Sequence, residues 1–485
     1  MNRRHFIHST ALATLGTAVP GILQARSNHP LPARLTLHPQ KAGPGVPADF
    51  MGLSYETAQL ADPEYFSSDN ASLVAFVRRL GAQGVLRIGG NTSEYGFWTP
   101  HPNPRAEAAI PSAVGPDTGR HAPRRTAVTP AAIRNLNGFL EATGWRGIYG
   151  LNLGKGTPEK SAEEGEFVTK TLGERLIALQ IGNEVELFGH NGLRPHGYDF
   201  DQFAAEWQRF YDAIHRRATS AQFAGPDTAH NVQWVQEFAQ RFRDKIILLT
   251  NHYYAEGPPS NPGMTLQRLL EPNPKLLESI AGIQQVMRES HLPFRMAETN
   301  SCYGGGKQGV SNTFGAALWA GDFMFQLAAA GFSGINFHGG GYGWYTPIAG
   351  TRKSGFTARP EYYGLLLFTE AGARQMIGST LKTRVPLFTA YAVRAADGAL
   401  KAAVFNKSAD QNASLTLDAG QRAERAEILR LAGPSLEATQ GVTFGGAQVS
   451  ANAAWSAQNI EHVPARGGKV VCHIPAASGA LISLV

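Results

Sequence analysis

Two glutamates, each reached at the end of an apolar, β-prone run, are the residues of this 485-residue chain best placed to do chemistry. Glu184 closes "LIALQIGNE" (176–184) and Glu298 closes "FRMAE" (294–298). A single strand-end Glu is ordinarily a solvated acid, so the signal lies in the pair. Two carboxyl groups aimed into one cleft are the equipment of glycoside hydrolysis. One stays protonated to donate to the departing oxygen, and the other stays ionised to attack the anomeric carbon. Asn183, next to Glu184, is placed to hydrogen-bond a sugar hydroxyl, and Tyr254, closing a third run, to hold the nucleophile's carboxylate. Glu186, two residues past Glu184, reads as a solvated loop charge.

Side chains this far apart in sequence meet only if the scaffold brings the ends of their strands together. From about 46 to 375, eight β-like runs alternate with helical patterns: 50–56, 84–91, 145–153, 176–184, 221–227, 246–254, 294–298 and 334–340. Most are apolar throughout, as expected of strands buried on both faces. Between them, Ile133, Leu136, Phe139 and Leu140 share one helical face, as do Phe203, Trp207, Phe210, Tyr211 and Ile214, and a further helix running from Asp322 to Ala330 stops at Gly331. Eight strands and their helices in about 330 residues is the count and size of an α/β protein of the (β/α)8 TIM-barrel type. A doubly wound sheet would need a phosphate-type glycine turn after its first strand, and "GLSYET" is none. In a barrel the strand ends Glu56, Asn91, Asn183-Glu184, His252 to Tyr254, Glu298 and His338 all face one mouth.

From about 380 the texture changes to short alternating runs between turns, "FTAYAVRA", "LKAAVFNK", "ASLTLD", "AEILRL" and "GALISLV". This predicts a C-terminal antiparallel β-sandwich domain over 376–485. "ARLTLHP" (33–39) has the same texture, so 28–45 is assigned to that domain and 46–375 to the barrel. The Pro-, Ala- and Arg-rich stretch from Thr99 to about Pro130 follows the second strand and is expected at the barrel mouth, where long loops are usually functional.

Residues 1–25 read as a twin-arginine signal peptide, with Arg3-Arg4 before an apolar stretch and a cut after Ala25, so the protein is expected to be exported, periplasmic or secreted. No later run is apolar for 18 residues, which gives no membrane span. Hydrophobic content of 43% and charged content of 17% are those of a globular protein, and the net charge of +6 with no Lys/Arg run excludes nucleic-acid binding. Cys302 and Cys472 make a poor disulfide framework, and no ligand spacing points to a metal or cofactor. Oligomeric state leaves no trace in the sequence.

"IGNEVELFG" and "AETNSCYGGG" resemble glycoside hydrolase family 79, the β-glucuronidases and heparanases, and more closely its bacterial exo-acting type. The resemblance covers the whole mature chain, with the motif Glu298, Tyr303 and Gly304 to Gly306 its most discriminating part. It implies Glu184 as general acid/base and Glu298 as nucleophile. It also implies that Tyr303, the Gly304-Gly305 amides and Tyr345 hold the glucuronate carboxylate, and that Glu56 and Asn91 fix ring hydroxyls. Consecutive glycine N–H groups make an anion-binding nest, which gives the motif a physical rationale. The expected reaction is double displacement with retention, the carboxyl groups about 5–5.5 Å apart, against about 9 Å for inversion.

Two other readings stand beside the exo-acting enzyme. One is an endo-acting heparanase-like hydrolase, in which Arg105, Arg120, Arg124 and Arg125 line a cleft for an acidic polymer. The other is a non-catalytic carbohydrate-binding barrel, against which the intact carboxylate pair argues.

Overall fold

The computed structural model describes residues 29–101 and 125–485. The signal sequence and Arg105, Arg120 and Arg124 lie outside the described residues.

Eight parallel strands close into a barrel: Gly52–Glu56, Val85–Gly89, Arg146–Leu151, Leu176–Ile181, Phe223–Thr228, Leu248–Glu256, Phe294–Cys302 and Gly334–Gly339, the eighth pairing with the first. All eight correspond to the runs read from the sequence. Their residues are almost all buried, because the barrel interior takes one face and the helix layer the other. The N-terminal end is sealed by Arg295, whose Nε donates to Asn336 Oδ1 at 2.6 Å and whose other nitrogens donate to the carbonyls of Asp49, Phe50 and Met51. A buried cation is tolerated there because its N–H groups are satisfied by carbonyl oxygens.

The helices follow their sequence signals. Phe200–Arg217 opens on a capping box between Asp199 and Gln202 and buries Phe203, Trp207, Phe210 and Ile214, with Tyr211 half-buried and stacked on Trp207 at 5.3 Å. Pro130–Thr143 has proline in its first turn and ends at Gly144 with φ of 77°. No helix among the described residues is long and apolar enough to cross a membrane.

The C-terminal part is a ten-stranded sheet whose inward side chains (Leu35, Leu415, Ile428, Val404 and Ile482 among them) make a core of their own. Leu31–Gly45 joins it, antiparallel to Ala373–Thr383 on one side and parallel to Ala413–Asp418 on the other. The expectation of a purely antiparallel domain is therefore corrected at one pairing. A strand entering from before the barrel reaches the sheet from the opposite end, and so runs with one neighbour instead of against it.

Barrel and sheet meet through two helices, Phe314–Ala329 and Pro360–Ala371, apolar almost all round because both sides are covered. Gly321 and Gly364 let them approach. A Cβ on Gly364 would stand 2.1 Å from the Ala317 carbonyl, and one on Gly321 would stand 2.8 Å from the Phe405 ring. In this apolar seam Asp322 accepts from Thr389 (2.8 Å) and Tyr391 (2.7 Å) and pairs with Lys407, tying the last barrel helices to the sheet.

Candidate active site

The chemistry sits at the carboxyl ends of the strands. Glu298 does not end its strand as the sequence suggested; the seventh strand continues to Cys302. Its pairing with the sixth and eighth strands slips beside Glu298, between Met296 and Thr299 on one side and Met296 and Glu298 on the other. Such a bulge re-aims a side chain. The polar residues after it stay in the strand because their side chains are bonded. Thr299 donates to the Tyr253 carbonyl at 2.5 Å, and Asn300 to the His338 carbonyl at 3.0 Å and to Glu361.

Glu184 lies three residues past the fourth strand in the left-handed region, φ 50° and ψ 47°. That conformation is costly for a residue with a side chain, about 1–3 kcal/mol. It is held by the Glu184 N–H donating to the Asp227 carbonyl at 2.7 Å.

Arg87 organises the space between them. It is 1% exposed and donates to Glu298 Oε2 (2.6 Å), Asn183 Oδ1 (2.8 Å), Gln180 Oε1 (3.1 Å) and Ser54 Oγ (3.3 Å), and it pairs with Asp227. His252 bridges the two carboxylate systems, with Nε2 at 3.1 Å from Asp227 and Nδ1 at 3.2 Å from Glu184. An oxygen of Glu184, an oxygen of Glu298 and a ring nitrogen of His252 all lie within 4.8 Å of one another.

These contacts set the charges. Burial disfavours ionised Glu298, but the charges of His338, His252 and Arg87, with the Tyr254 hydroxyl at 2.7 Å from Oε1, outweigh it and hold the carboxyl at about 2. For His252, burial is outweighed by the charges of Asp227 and Glu298, which push the imidazole up to about 10; Nδ1 bonds to Glu184, while Nε2 lies 3.1 Å from Asp227 without hydrogen-bond geometry. Glu184, His252 and Glu298 are, among the described residues, the group whose donor atoms converge closely enough for a metal ion. Two of the three already face charged or donor groups, Glu298 meeting Arg87 and Tyr254 and His252 lying beside Asp227.

The remaining sequence-predicted residues arrange around the pair. Asn183 is buried and donates to Asn91 Oδ1 at 3.4 Å, while Asn91 is exposed at the mouth. Glu56 accepts the N–H and hydroxyl of Thr92 at 2.8 and 2.6 Å and lies 3.7 Å from His338. Tyr254 packs its ring 6.2 Å from Tyr345 and 6.3 Å from Tyr303. Burial, with the charge of Glu298, raises the phenols of Tyr254 and Tyr345 well above the usual range, so both remain neutral donors. Tyr303 is 46% exposed and lies over Gly257. Gly304, Gly305 and Gly306 all have positive φ (80°, 93° and 86°); Gly305 presents its carbonyl to Trp344 N–H at 2.6 Å, and neither the Gly304 nor the Gly305 N–H is bonded among the described residues. Arg125 stacks over Phe97 at 4.6 Å, at a short parallel pair of Gly96–Trp98 with Thr126–Val128.

Glu186 is a correction. Instead of a solvated loop charge it is a half-buried carboxyl whose Oε1 accepts the N–H of Ala229 at 2.7 Å and of His230 at 3.3 Å, while Oε2 is buried without a partner. Burial, then the charge of Glu184, push it up to about 7.

Arg87, Asp227 and Gln180 were missed by sequence reasoning. The signal was present: an arginine inside the buried run "GVLRIGGN" and an aspartate closing "AQFAGPD", both polar residues where only a partner makes burial tolerable.

Residues 390–481 match the C-terminal beta domain of glycosyl hydrolase family 79. A β-glucuronidase of Aspergillus niger is 28% identical over 334 residues, covering 63% of this chain and 60% of that protein. A heparanase of Bos taurus is 22% identical, covering 69% of this chain and 68% of the other. The chain thus spans about 60% of the length of the Aspergillus relative. In fold it is similar to a 4-O-α-L-rhamnosyl-β-D-glucuronidase from Fusarium oxysporum, with a TM-score of 0.73 at 17% identity over 94% of this chain and 99% of that one. It is also similar to a family 51 α-L-arabinofuranosidase from Thermotoga petrophila, with a TM-score of 0.68 at 14% identity over 93% of this chain and 100% of the other.

Proposed function

We propose that this chain, a member of glycoside hydrolase family 79, is a retaining β-glucuronidase that removes a terminal β-linked glucuronic acid. The observation that carries the reading is the convergence of Glu184 and Glu298 on one point of the barrel mouth, an oxygen of one within 4.8 Å of an oxygen of the other, close enough for both carboxyls to reach one anomeric centre as a retaining mechanism requires.

In the first step Glu298, kept ionised by Arg87 and the histidines, attacks the anomeric carbon while Glu184 gives its proton to the departing glycosidic oxygen. In the second, Glu184 takes a proton from water as that water attacks the same carbon and Glu298 leaves. The two inversions return the starting configuration, and Glu184 regains the proton it gave. Asn183 and Asn91 meet ring hydroxyls. Choice of sugar rests on the Gly304 and Gly305 amides, which have no partner among the described residues, and on the neutral phenols of Tyr345 and Tyr303. They supply donors to a carboxylate without a full counter-charge.

Exo action is part of the proposal. Trp98 pairs with Val128 in a short parallel pair that follows the turn Asn91–Tyr95, so the 99–130 segment starts and ends close together after the second strand, which supports a loop that closes one end of the cleft. The test is release from a chromogenic β-glucuronide against the matching β-glucoside, with Glu298→Gln as control and product size on a defined oligosaccharide. Equal rates on the two glycosides, or wild-type turnover by Glu298→Gln, would sink the reading; large fragments instead of free glucuronic acid would turn it to endo action.

A further inference from the structure

The barrel mouth has two unlike sides. Glu298, Tyr303, the triple glycine and Tyr345 come from the seventh and eighth strands and the segments that follow them, while Glu184 follows the fourth. On the side of strands four to six lies an open groove of about 480 Å³, walled by Glu186, His230, Asn231, Lys275, Glu278 and Ser279. Its volume is within the roughly 300–1,000 Å³ of small-ligand sites. Glu186 comes from the turn Val185–Leu187, directly after Glu184; His230 and Asn231 follow the fifth strand; Lys275, Glu278 and Ser279 lie on the helix Pro274–Ser290, which follows the sixth.

We propose that this groove is the aglycone subsite, that it takes a neutral, polyhydroxylated sugar, and that Glu186 is its specificity-determining contact. The proposal rests on Glu184 being the proton donor. A donor must touch the oxygen of the bond that breaks, so the leaving group departs on its side, the side on which the turn after Glu184 carries Glu186 into the groove wall.

The chemistry of the walls selects the ligand. Of the Glu186 carboxyl, Oε1 is fixed by two backbone N–H groups and Oε2 is buried with no partner. A buried polar atom left unbonded is unfavourable in the empty protein and is completed by a ligand hydroxyl. Val232 is the one apolar residue of the lining, so a flat aromatic aglycone finds little surface there. Glu186 and Glu278 stand against Lys275 and His230, so the lining has no excess of cations to hold a sulfated or carboxylated aglycone.

The experiment measures kcat/KM of the full chain on a glucuronosyl disaccharide with a neutral reducing sugar and on an aryl glucuronide, for wild type, Glu186→Gln and Lys275→Ala. The ratio of disaccharide to aryl glucuronide should fall by about tenfold or more in Glu186→Gln, the worth of one ligand hydrogen bond, and in the same direction in Lys275→Ala. Lys275 is exposed, so its variant carries the test if Glu186→Gln melts early. A ratio unchanged in both variants overturns the subsite alone. A wild type that hydrolyses neither glucuronide overturns the functional reading beneath it, and the two failures are distinct.

Discussion

Arg87 and Glu298 meet at 2.6 Å inside the barrel, Nη1 donating to Oε2, both side chains almost sealed from solvent at 1% and 6% exposure. The same guanidinium holds Asn183 and Asp227, and Asp227 holds His252 against Glu184. One planar cation therefore orients Glu298, the proposed nucleophile, directly and the opposite carboxyl through two intermediaries. A fork with five donors suits this, and an ammonium does not.

Replacing Arg87 by Ala should destabilise the fold by about 3–5 kcal/mol, because Asp227 and Glu298 are left buried without their partner. Arg87→Lys keeps the charge and loses the fork. It should recover part of the melting temperature while kcat stays far below wild type. Recovery of both together would show that charge alone suffices. Calorimetry with steady-state kinetics reads the two separately.

Buried titrating groups make stability depend on pH, with a definite sign. Glu298 sits near 2, below its unfolded value, so its contribution is present above about 4.5 and is lost as pH falls through 2. His252 is raised to about 10, so its contribution is full below about 6.5 and is lost as pH rises through 10. Glu94, buried among backbone N–H groups behind Asn183, is raised to about 8 by burial, so its contribution is lost between about 4.5 and 8. Stability should therefore fall on going from mildly acidic to alkaline pH. Glu94→Gln should flatten the curve between 4.5 and 8 by up to one proton's slope, about 1.4 kcal/mol per pH unit. A Glu94→Gln curve parallel to wild type from pH 4.5 to 8 would remove Glu94 from this account.

The barrel was legible because strands buried on both faces leave unbroken apolar runs, and eight of them in one third of a thousand residues admit few folds. Glu298 could be placed by counting strands, but not its strand's true end. Thr299, Asn300 and Ser301 look like a turn in sequence, and stay in the strand through pairing with Tyr253 and Tyr254 and through side-chain bonds to neighbours as distant as Glu361. Glu186 misled for a related reason: its neighbours are the backbone of Ala229 and His230, which no local pattern reveals. In the sheet, Ala373–Thr383 and Lys469–Ile474 were not read from the sequence, although Lys469–Ile474 alternates buried and exposed residues much as Ala413–Asp418 alternates buried and half-buried ones. What the sequence hides is long-range pairing.

The carboxylate-binding role of the triple glycine can be tested one conformation at a time. A Cβ at Gly305 meets nothing within 4 Å, whereas one at Gly306 would stand 2.7 Å from the Tyr345 nitrogen. Gly305→Ala therefore challenges the φ of 93° and nothing else. KM for a β-glucuronide should rise, with a smaller change for the corresponding β-glucoside, as the amides turn away from the acid group. An equal change for both sugars would leave the turn a structural role only.

Tyr254 gives the most direct reading of the nucleophile. Its hydroxyl donates to Glu298 Oε1 at 2.7 Å, opposite the Arg87 contact on Oε2, so each carboxylate oxygen has one strong donor. A hydrogen bond to a charged group is worth about 1.5–3 kcal/mol, so Tyr254→Phe should change the rate of a step that alters the charge on Glu298 by roughly 10- to 100-fold. Attack consumes that charge and deglycosylation restores it. If the bond orients Glu298, glycosylation slows; if it mainly stabilises the free carboxylate, deglycosylation slows and the covalent intermediate accumulates. Pre-steady-state kinetics with an activated aryl glucuronide separates the two, the second giving a burst of phenol that grows in the variant. Unaltered kinetics in both phases would mean that Tyr254 packs against Tyr345 without serving the nucleophile.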